Sequence, residues 1–284
     1  MKKILLISTC ILFFSLNLYS RDLNSLKLNL NGEFQQGGLL FGEVHPHSSV
    51  VYNNMDIFID DEGRFVLGLG RDEKKIITLT VSNGSKKSTY NYFIKRRNYD
   101  IQSINGINNK FIYPDEKNIH KSKLDAKAVL TARNILSNQS DFFSGFIWPV
   151  KGPITGIYGS QRIFNGEPRR PHYGVDIAAP LGSDVVAPAS GTVTFAEHDL
   201  FFSGGTMIID HGHGLSSTFL HLNDFVATIN QKVSQGELIA KVGDTGRVTG
   251  PHLDWRMNWT LNGTSVRIDP ELIVIPGENL DFGN

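Results

Sequence analysis

Between Leu23 and Lys95 apolar and polar residues alternate in short runs, Val50-Val51-Tyr52, Asp56-Ile57-Phe58-Ile59, Arg64-Phe65-Val66-Leu67 and Ile76-Ile77-Thr78-Leu79-Thr80-Val81. A period of two residues sends successive side chains to opposite faces of a strand. The turn signals Asp60-Asp61-Glu62-Gly63 and Ser82-Asn83-Gly84 separate the runs, so residues 21–95 are expected to form a β-sandwich-like domain of antiparallel strands. His45 and His47 flank Pro46 next to two serines, which reads as an exposed loop and not as a metal pair.

From Arg96 to Ser144 the character changes to Asn, Ser and Lys, and Leu124, Ala128, Ala132 and Ile135 recur at helical spacing after Pro114-Asp115. Residues 96–145 therefore read as a linker carrying one amphipathic helix, from about Asp115 to Ser137, packed on a neighbouring domain. From Phe146 the runs are again short and glycine-punctuated: Gly191-Thr192-Val193-Thr194-Phe195, Thr206 to Asp210, Leu215 to Leu222 and Gly236 to Gly243. Hairpins at this spacing predict a second antiparallel β domain over 146–276, followed by a tail at 277–284. The fold class is all-β with a helical linker, and no internal repeat joins the two β regions.

The first twenty residues change the accounting. Lys2 and Lys3 precede an apolar run from Ile4 to Leu18 that closes on Tyr19-Ser20, the layout of a signal peptide. The run is about 15 residues, short of the roughly 20 that a membrane-crossing helix needs. The expectation is export to the periplasm or cell envelope with no stable membrane span after signal cleavage. Cys10, the only cysteine, lies in this segment, so a processed chain has neither a disulfide framework nor thiol catalysis. Without Lys2 and Lys3, 26 basic side chains face 28 acidic ones, a net charge of −2 that gives no reason to expect nucleic-acid binding.

Three groups of side chains in residues 146–276 have the chemistry of a metal site. In Pro171-His172-Tyr173-Gly174-Val175-Asp176 the proline and glycine argue against a helix, and a fully extended chain would hold His172 and Asp176 about 13 Å apart. To share an ion the chain must bend, and Gly174 offers the freedom for it. In Gly250-Pro251-His252-Leu253-Asp254-Trp255 a strand puts His252 and Asp254 on one face, and by the same parity Trp255 and Trp259 on the other, as core. His221 stands in Thr218-Phe219-Leu220-His221-Leu222. Imidazole and carboxylate both bind zinc, and ligands from distant segments can close one site. His211-Gly212-His213-Gly214 has similar spacing, but its glycines between two strand patterns read as a hairpin turn. Arg169 and Arg170 just ahead of His172 are a solvated basic turn, with substrate carboxylate as the alternative partner.

The order His-x3-Asp, a glycine-rich β segment, Phe-x-His-Leu and then Gly-Pro-His resembles the M23 metallopeptidases of the lysostaphin and LytM type. The resemblance spans nearly all of 146–276, with Trp148-Pro149-Val150, Gly156-x-Tyr158-Gly159, Ala187-Pro188 and Val242-Gly243-x-Thr245-Gly246 in register. It implies an antiparallel β-sheet core with one zinc ion per chain in a groove on one face. His172 and Asp176 match the first two zinc ligands, and His221 and His252 match two unligated catalytic histidines. The third ligand of that family is the second histidine of His-x-His, and here the position holds Asp254. A His-Asp-Asp set leaves zinc with a formal charge of zero in place of plus one, and so with a less acidic water.

The function implied is an exported zinc metalloendopeptidase that hydrolyses peptide cross-links of peptidoglycan through a metal-activated water, with stem peptides as substrate and envelope proteins as further partners. The amino-terminal region would then target or cover the catalytic domain. The alternative is a catalytically silent LytM-type module that binds cell wall or activates an amidase. A biotinyl-like carrier, suggested by Val233 to Ala240, lacks the methionine-flanked lysine that it would need.

Overall fold

A computed structural model describes residues 26–106 and 116–274 of the chain. The signal segment and the tail expected at 277–284 lie outside the described residues. In the amino-terminal part, strands β1 (Asn29–Gly32), β2 (Leu39–Glu43), β3 (Ser49–Tyr52), β4 (Met55–Asp56), β5 (Arg64–Gly68), β6 (Ile76–Asn83) and β7 (Lys86–Phe93) make two antiparallel sheets, ordered β1-β2-β5 and β4-β3-β6-β7. The alternation that announced β6 is realised, since Ile77, Leu79 and Val81 are buried while Ile76 is exposed. At the turn before β5, the Asp60 carboxylate accepts from the backbone N–H groups of Glu62 and Arg64 at 3.1 and 2.7 Å, which fixes the chain reversal.

The linker departs from expectation twice. It contributes a strand, β8 (Ile101–Ile104), and its helix α1 (Glu116–Arg133) ends four residues before Ser137. All four side chains of β8 are exposed, so no burial pattern marks it, and the strand is set by pairing along its edge. The helix is also less buried than its spacing promised. Ile119, Leu124 and Leu130 are exposed, and its apolar contacts come from the carboxy-terminal end, where Val129 and Ala132 pack on Phe195, Leu200 and Ile208, while Asp125 accepts from the Phe201 N–H at 2.7 Å.

In the carboxy-terminal part the strands are β9 (Ile154–Gly156), β10 (Gln161–Phe164), β11 (Glu167–Pro168), β12 (Val175–Ala178), β13 (Asp184–Val186), β14 (Gly191–Leu200) and β15 (Gly204–Gly212). They continue with β16 (Leu215–Leu222), β17 (Asp224–Phe225), β18 (Lys232–Val233), β19 (Leu238–Lys241), β20 (His252–Leu261) and β21 (Thr264–Ile268). The main sheet runs β18-β14-β15-β16-β20-β12-β9, with β21 pairing on β20 beyond the end of β12. The β10-β11 hairpin takes β8 as a parallel neighbour. This is the all-β architecture read from the sequence.

One face of the main sheet is core. Leu253, Trp255, Met257 and Trp259 of β20 are buried there, as parity required of the two tryptophans. The amino-terminal sheets pack against this back face, so that a Cβ on Gly68 of β5 would lie 2.7 Å from that of Trp259. Apolar burial is continuous across the two regions. The junction also holds Arg97 on Asp269 at 2.6 Å and Arg71 Nε donating to the Gly159 carbonyl at 2.9 Å.

Candidate metal centre

The site occupies the other face of the sheet. β12 and β20 are antiparallel neighbours whose register sets Asp176 directly opposite Asp254 and Ala178 opposite His252. Gly174 permits this by close approach and not by a left-handed backbone. A Cβ there would stand 2.4 Å from the Trp255 carbonyl oxygen and 2.8 Å from Asp254 Oδ1. Gly156 on β9 makes similar room, because a Cβ would meet Asp176 Oδ2 at 2.2 Å. His172 is placed by its own backbone, its N–H donating to the Ser160 carbonyl and its carbonyl accepting from Gly159, both at 2.8 Å.

The outcome is a compact donor set. One atom each from His172, Asp176 and Asp254 lies within 4.8 Å of the other two. His172 Nε2 and Asp176 Oδ1 are 3.2 Å apart, and both are sealed from solvent without a hydrogen-bond partner. Two ligands held at zinc distances on a tetrahedron stand about 3.3 Å from each other. A nitrogen and an oxygen left without partners at that separation are what a small divalent cation would satisfy, so the residues fit the ion. Burial lowers the His172 pKa, but the carboxylates of Asp176 and Asp254 more than offset it and leave the imidazole above its ordinary value.

His221 and His252 flank this set with ring centroids 4.9 Å apart, and His252 Nε2 is 3.9 Å from Asp176 Oδ1. Each imidazole is pinned through Nδ1, which faces the Thr245 carbonyl at 2.9 Å in His221 and the Gly250 carbonyl at 2.9 Å in His252. A carbonyl can only accept, so the proton sits on Nδ1 and each Nε2 is left as a base. Strand alternation alone would send His221 into the core beside Phe219. A left-handed backbone at His221, φ 65°, breaks that alternation. Burial depresses the His221 pKa.

Sequence reasoning missed Arg256. It lies two residues beyond Asp254 on the same face of β20 and clasps its carboxylate, Nη2 to Oδ2 at 2.5 Å and Nε to Oδ1 at 2.9 Å. The parity that paired His252 with Asp254 was the available signal. Burial would raise the Asp254 pKa, yet the Arg256 guanidinium, by charge and hydrogen bond, holds it below the usual carboxylate range. The clasp adds a positive charge beside the expected donor set. With Arg256 counted, two carboxylates and one guanidinium leave a divalent cation at plus one, as in a set of two histidines and one aspartate.

The remaining candidates stay outside the site. His211 is buried with Nδ1 at the Ser190 carbonyl and Nε2 at Ser217 Oγ, both 2.8 Å. His213 forms the β15-β16 turn at φ 52° and packs edge-on against Phe58 and Phe142. His45 and His47 sit in the turn before β3 with rings 5.5 Å apart. Arg169 lies over the Phe164 ring at 5.9 Å on the β10-β11 hairpin.

The Peptidase family M23 model matches residues 170–270, the stretch that carries His172, Asp176, His221, His252 and Asp254. The chain carries a domain of peptidase family M23. Over 102 residues it is 36% identical to the peptidoglycan DD-endopeptidase ShyA of Vibrio cholerae, a match covering 33% of this chain and 24% of that protein. Over 146 residues it is 34% identical to an uncharacterized metalloprotease of Haemophilus influenzae, covering 51% of this chain and 28% of that one. The chain thus spans about a quarter of the length of these relatives. A crystal structure described as a putative peptidase M23 from Pseudomonas aeruginosa shares the fold, with TM-score 0.64 and 24% identity over 84% of this chain and 94% of that chain. So large a share takes the likeness beyond the M23 domain into the amino-terminal sheets.

Proposed function

We propose that the chain is an exported zinc metalloendopeptidase that hydrolyses peptide cross-links of peptidoglycan. The observation that carries this reading is the pair of sealed, partnerless donors His172 Nε2 and Asp176 Oδ1, with the Asp254 carboxylate closing the set. Zinc held by His172, Asp176 and Asp254 would supply a Lewis acid for the scissile carbonyl and an acidified water as nucleophile. The chain's own contribution is to steer protons and charge. His221 and His252, with Nδ1 fixed, present Nε2 to the same space, one to take a proton from the nucleophile and the other, protonated, to stabilise the oxyanion and pass its proton to the leaving amine. The peptidoglycan substrate is supported by the name of the Vibrio cholerae relative. An envelope location agrees with that substrate, and no helix among the described residues is long and apolar enough to cross a membrane.

A second reading is a silent module that binds cell wall or activates an amidase, and the Arg256 clasp favours it by occupying Asp254 with a guanidinium. A carboxylate oxygen has lone pairs for both partners, so the clasp does not by itself exclude ligation. Metal analysis of the purified chain, followed by digestion of isolated sacculi, separates the two. One equivalent of zinc with release of uncross-linked muropeptides is expected, and a chain that takes up no zinc and leaves sacculi intact refutes the enzyme.

A further inference from the structure

The same face of the sheet continues away from the candidate metal ligands as a row of polar side chains with an unusual charge balance. Arg256 of β20, Arg267 of β21 and Arg133, the last residue of α1, come together there, and among the described residues Asp254 is the only carboxylate to which any of them donates a hydrogen bond. Arg133 is buried and gives Nε and Nη2 to Thr218 Oγ1 at 3.2 and 2.9 Å. Asn258, also buried, donates to the same Oγ1 at 3.2 Å and accepts from Arg267 Nη1. The network is therefore tied together largely by neutral groups, and three guanidiniums face the carboxylates of Asp254 and of Asp176 opposite it, an excess of plus one.

Burial and mutual repulsion act on these groups in the way that the geometry demands. Arg133 is lowered well below its ordinary pKa by burial, then by Arg267 and Arg256, and Arg267 is lowered to about 10 by burial and then by Arg256. Like charges brought together out of water are costly unless an anion joins them. The helix carboxy-terminus favours Arg133 only slightly. Arg133 donates through Nε and Nη2 and Arg267 through Nη1, and a guanidinium carries five N–H groups, more than these contacts use. Planar guanidiniums are suited to carboxylate, which they bind through paired hydrogen bonds.

We propose that Arg133, Arg256 and Arg267 form a subsite for a free carboxylate on the substrate. Positions 254 and 256 are about 7 Å apart along one strand, so the carboxylate sits within about two residues of the bond that is cut. The inference deepens the peptidase reading, on which its placement rests. A carboxylate so placed is either the terminal group of the peptide or the side-chain acid of a cross-linking residue.

The test is binding to the metal-free chain, which keeps a metal ion from competing for the acid. N-acetyl-D-alanyl-D-alanine and its carboxamide are titrated at low salt. The acid is expected to bind at least about 10-fold more tightly, with the preference falling toward unity in Arg133→Gln and Arg267→Gln and partly kept in Arg133→Lys. Equal binding of acid and amide by the unaltered chain overturns the subsite without any variant having to fold, as does a preference that survives in the folded double glutamine variant. With zinc-loaded chain, KM for a pentapeptide and for a cross-linked dimeric muropeptide then shows which carboxylate is read. Acid-selective binding without hydrolysis of either would sink the peptidase reading and leave the subsite standing, and hydrolysis without acid preference would do the reverse.

Discussion

The Asp254-Arg256 pair should be both a stability element and a metal element, and a mutant cycle can measure the two roles separately. Asp254→Asn keeps the shape of the side chain and removes its charge. Arg256, whose side chain is 26% exposed, then loses the partner that it holds at 2.5 Å and is left with the charge of Asp176 to offset Arg133 and Arg267. Breaking a fully buried pair costs about 3–5 kcal/mol, and the partial exposure of Arg256 reduces this to about 2–3 kcal/mol. For a chain of this size that corresponds to a Tm lower by about 5–10 °C. Arg256→Met strands the Asp254 carboxylate, whose side chain is 4% exposed, opposite Asp176, and should cost about as much. The double variant has neither orphan, so its loss should fall short of the sum of the single losses by about 2 kcal/mol. Zinc uptake divides the three differently, since Asp254→Asn and the double variant lose a ligand while Arg256→Met keeps all three and loses only about 10–100-fold in affinity. Calorimetry and metal titration on the four proteins give both readings. Additive Tm losses, or full zinc occupancy in Asp254→Asn, would refute the coupling and the ligation respectively.

His252→Ala should leave zinc bound and slow turnover by about 100-fold or more, whereas Asp176→Ala should lose the metal; loss of zinc from both would show that His252 is a ligand. The folded-state pKa of buried His211 is pushed down to about 4 from 6.5, so stability present above pH 6.5 drains away as pH falls toward 4, by up to about 3 kcal/mol. His172, Asp210 and Asp269 are shifted upward and act in the opposite sense, so the measurement is the difference in urea-unfolding pH slope between the chain and His211→Gln, and identical slopes would contradict it. A fragment of residues 146–284 should be less stable than the whole chain, because it uncovers Trp259 and Ile268 and loses the Arg97 contact with Asp269; a fragment with unchanged Tm would show that the junction contributes nothing.

The parts of the site that were legible in the sequence are those fixed by strand periodicity and local spacing. The two-residue interval between His252 and Asp254 gave one face, and the same rule buried Trp255 and Trp259 behind it. The bend joining His172 to Asp176 was legible as a need, but its cause was not. Gly174 answers to the approach of β20, and that approach exists only once Asp176 stands opposite Asp254. His221 was singled out as a lone histidine and given its role by resemblance, while periodicity would have sent it to the core, because a left-handed residue at the end of a strand overrides alternation. Arg256 followed the rule already in use and was missed because basic residues on strands read as solvated. Arg133 and Arg267 join it from a helix and another strand, a meeting that only tertiary structure sets. The helix itself was judged by spacing, yet Leu124 and Leu130 are exposed because α1 buries apolar side chains only near its carboxy-terminal end and is held further up by polar contacts of Lys121 and Asp125.

That docking bears on where control over the site can come from. The amino-terminal sheets lie behind the main sheet, on the face holding Trp259, while His252, Asp254 and Arg256 look the other way. Residues 26–95 thus meet the main sheet from behind at Gly68, and Arg71 reaches the Gly159 carbonyl beside the His172 segment. What lies beside the open face belongs to the linker and its neighbours. α1 delivers Arg133 to the polar row, and β8 pairs in parallel with β10, whose hairpin runs directly into His172. A substrate entering along the polar row therefore meets the linker helix before it meets the candidate ligands. Among the described residues the linker thereby reaches the surroundings of the candidate ligands both through a guanidinium and through a backbone ladder, and a change in how α1 docks must move the Arg133 charge.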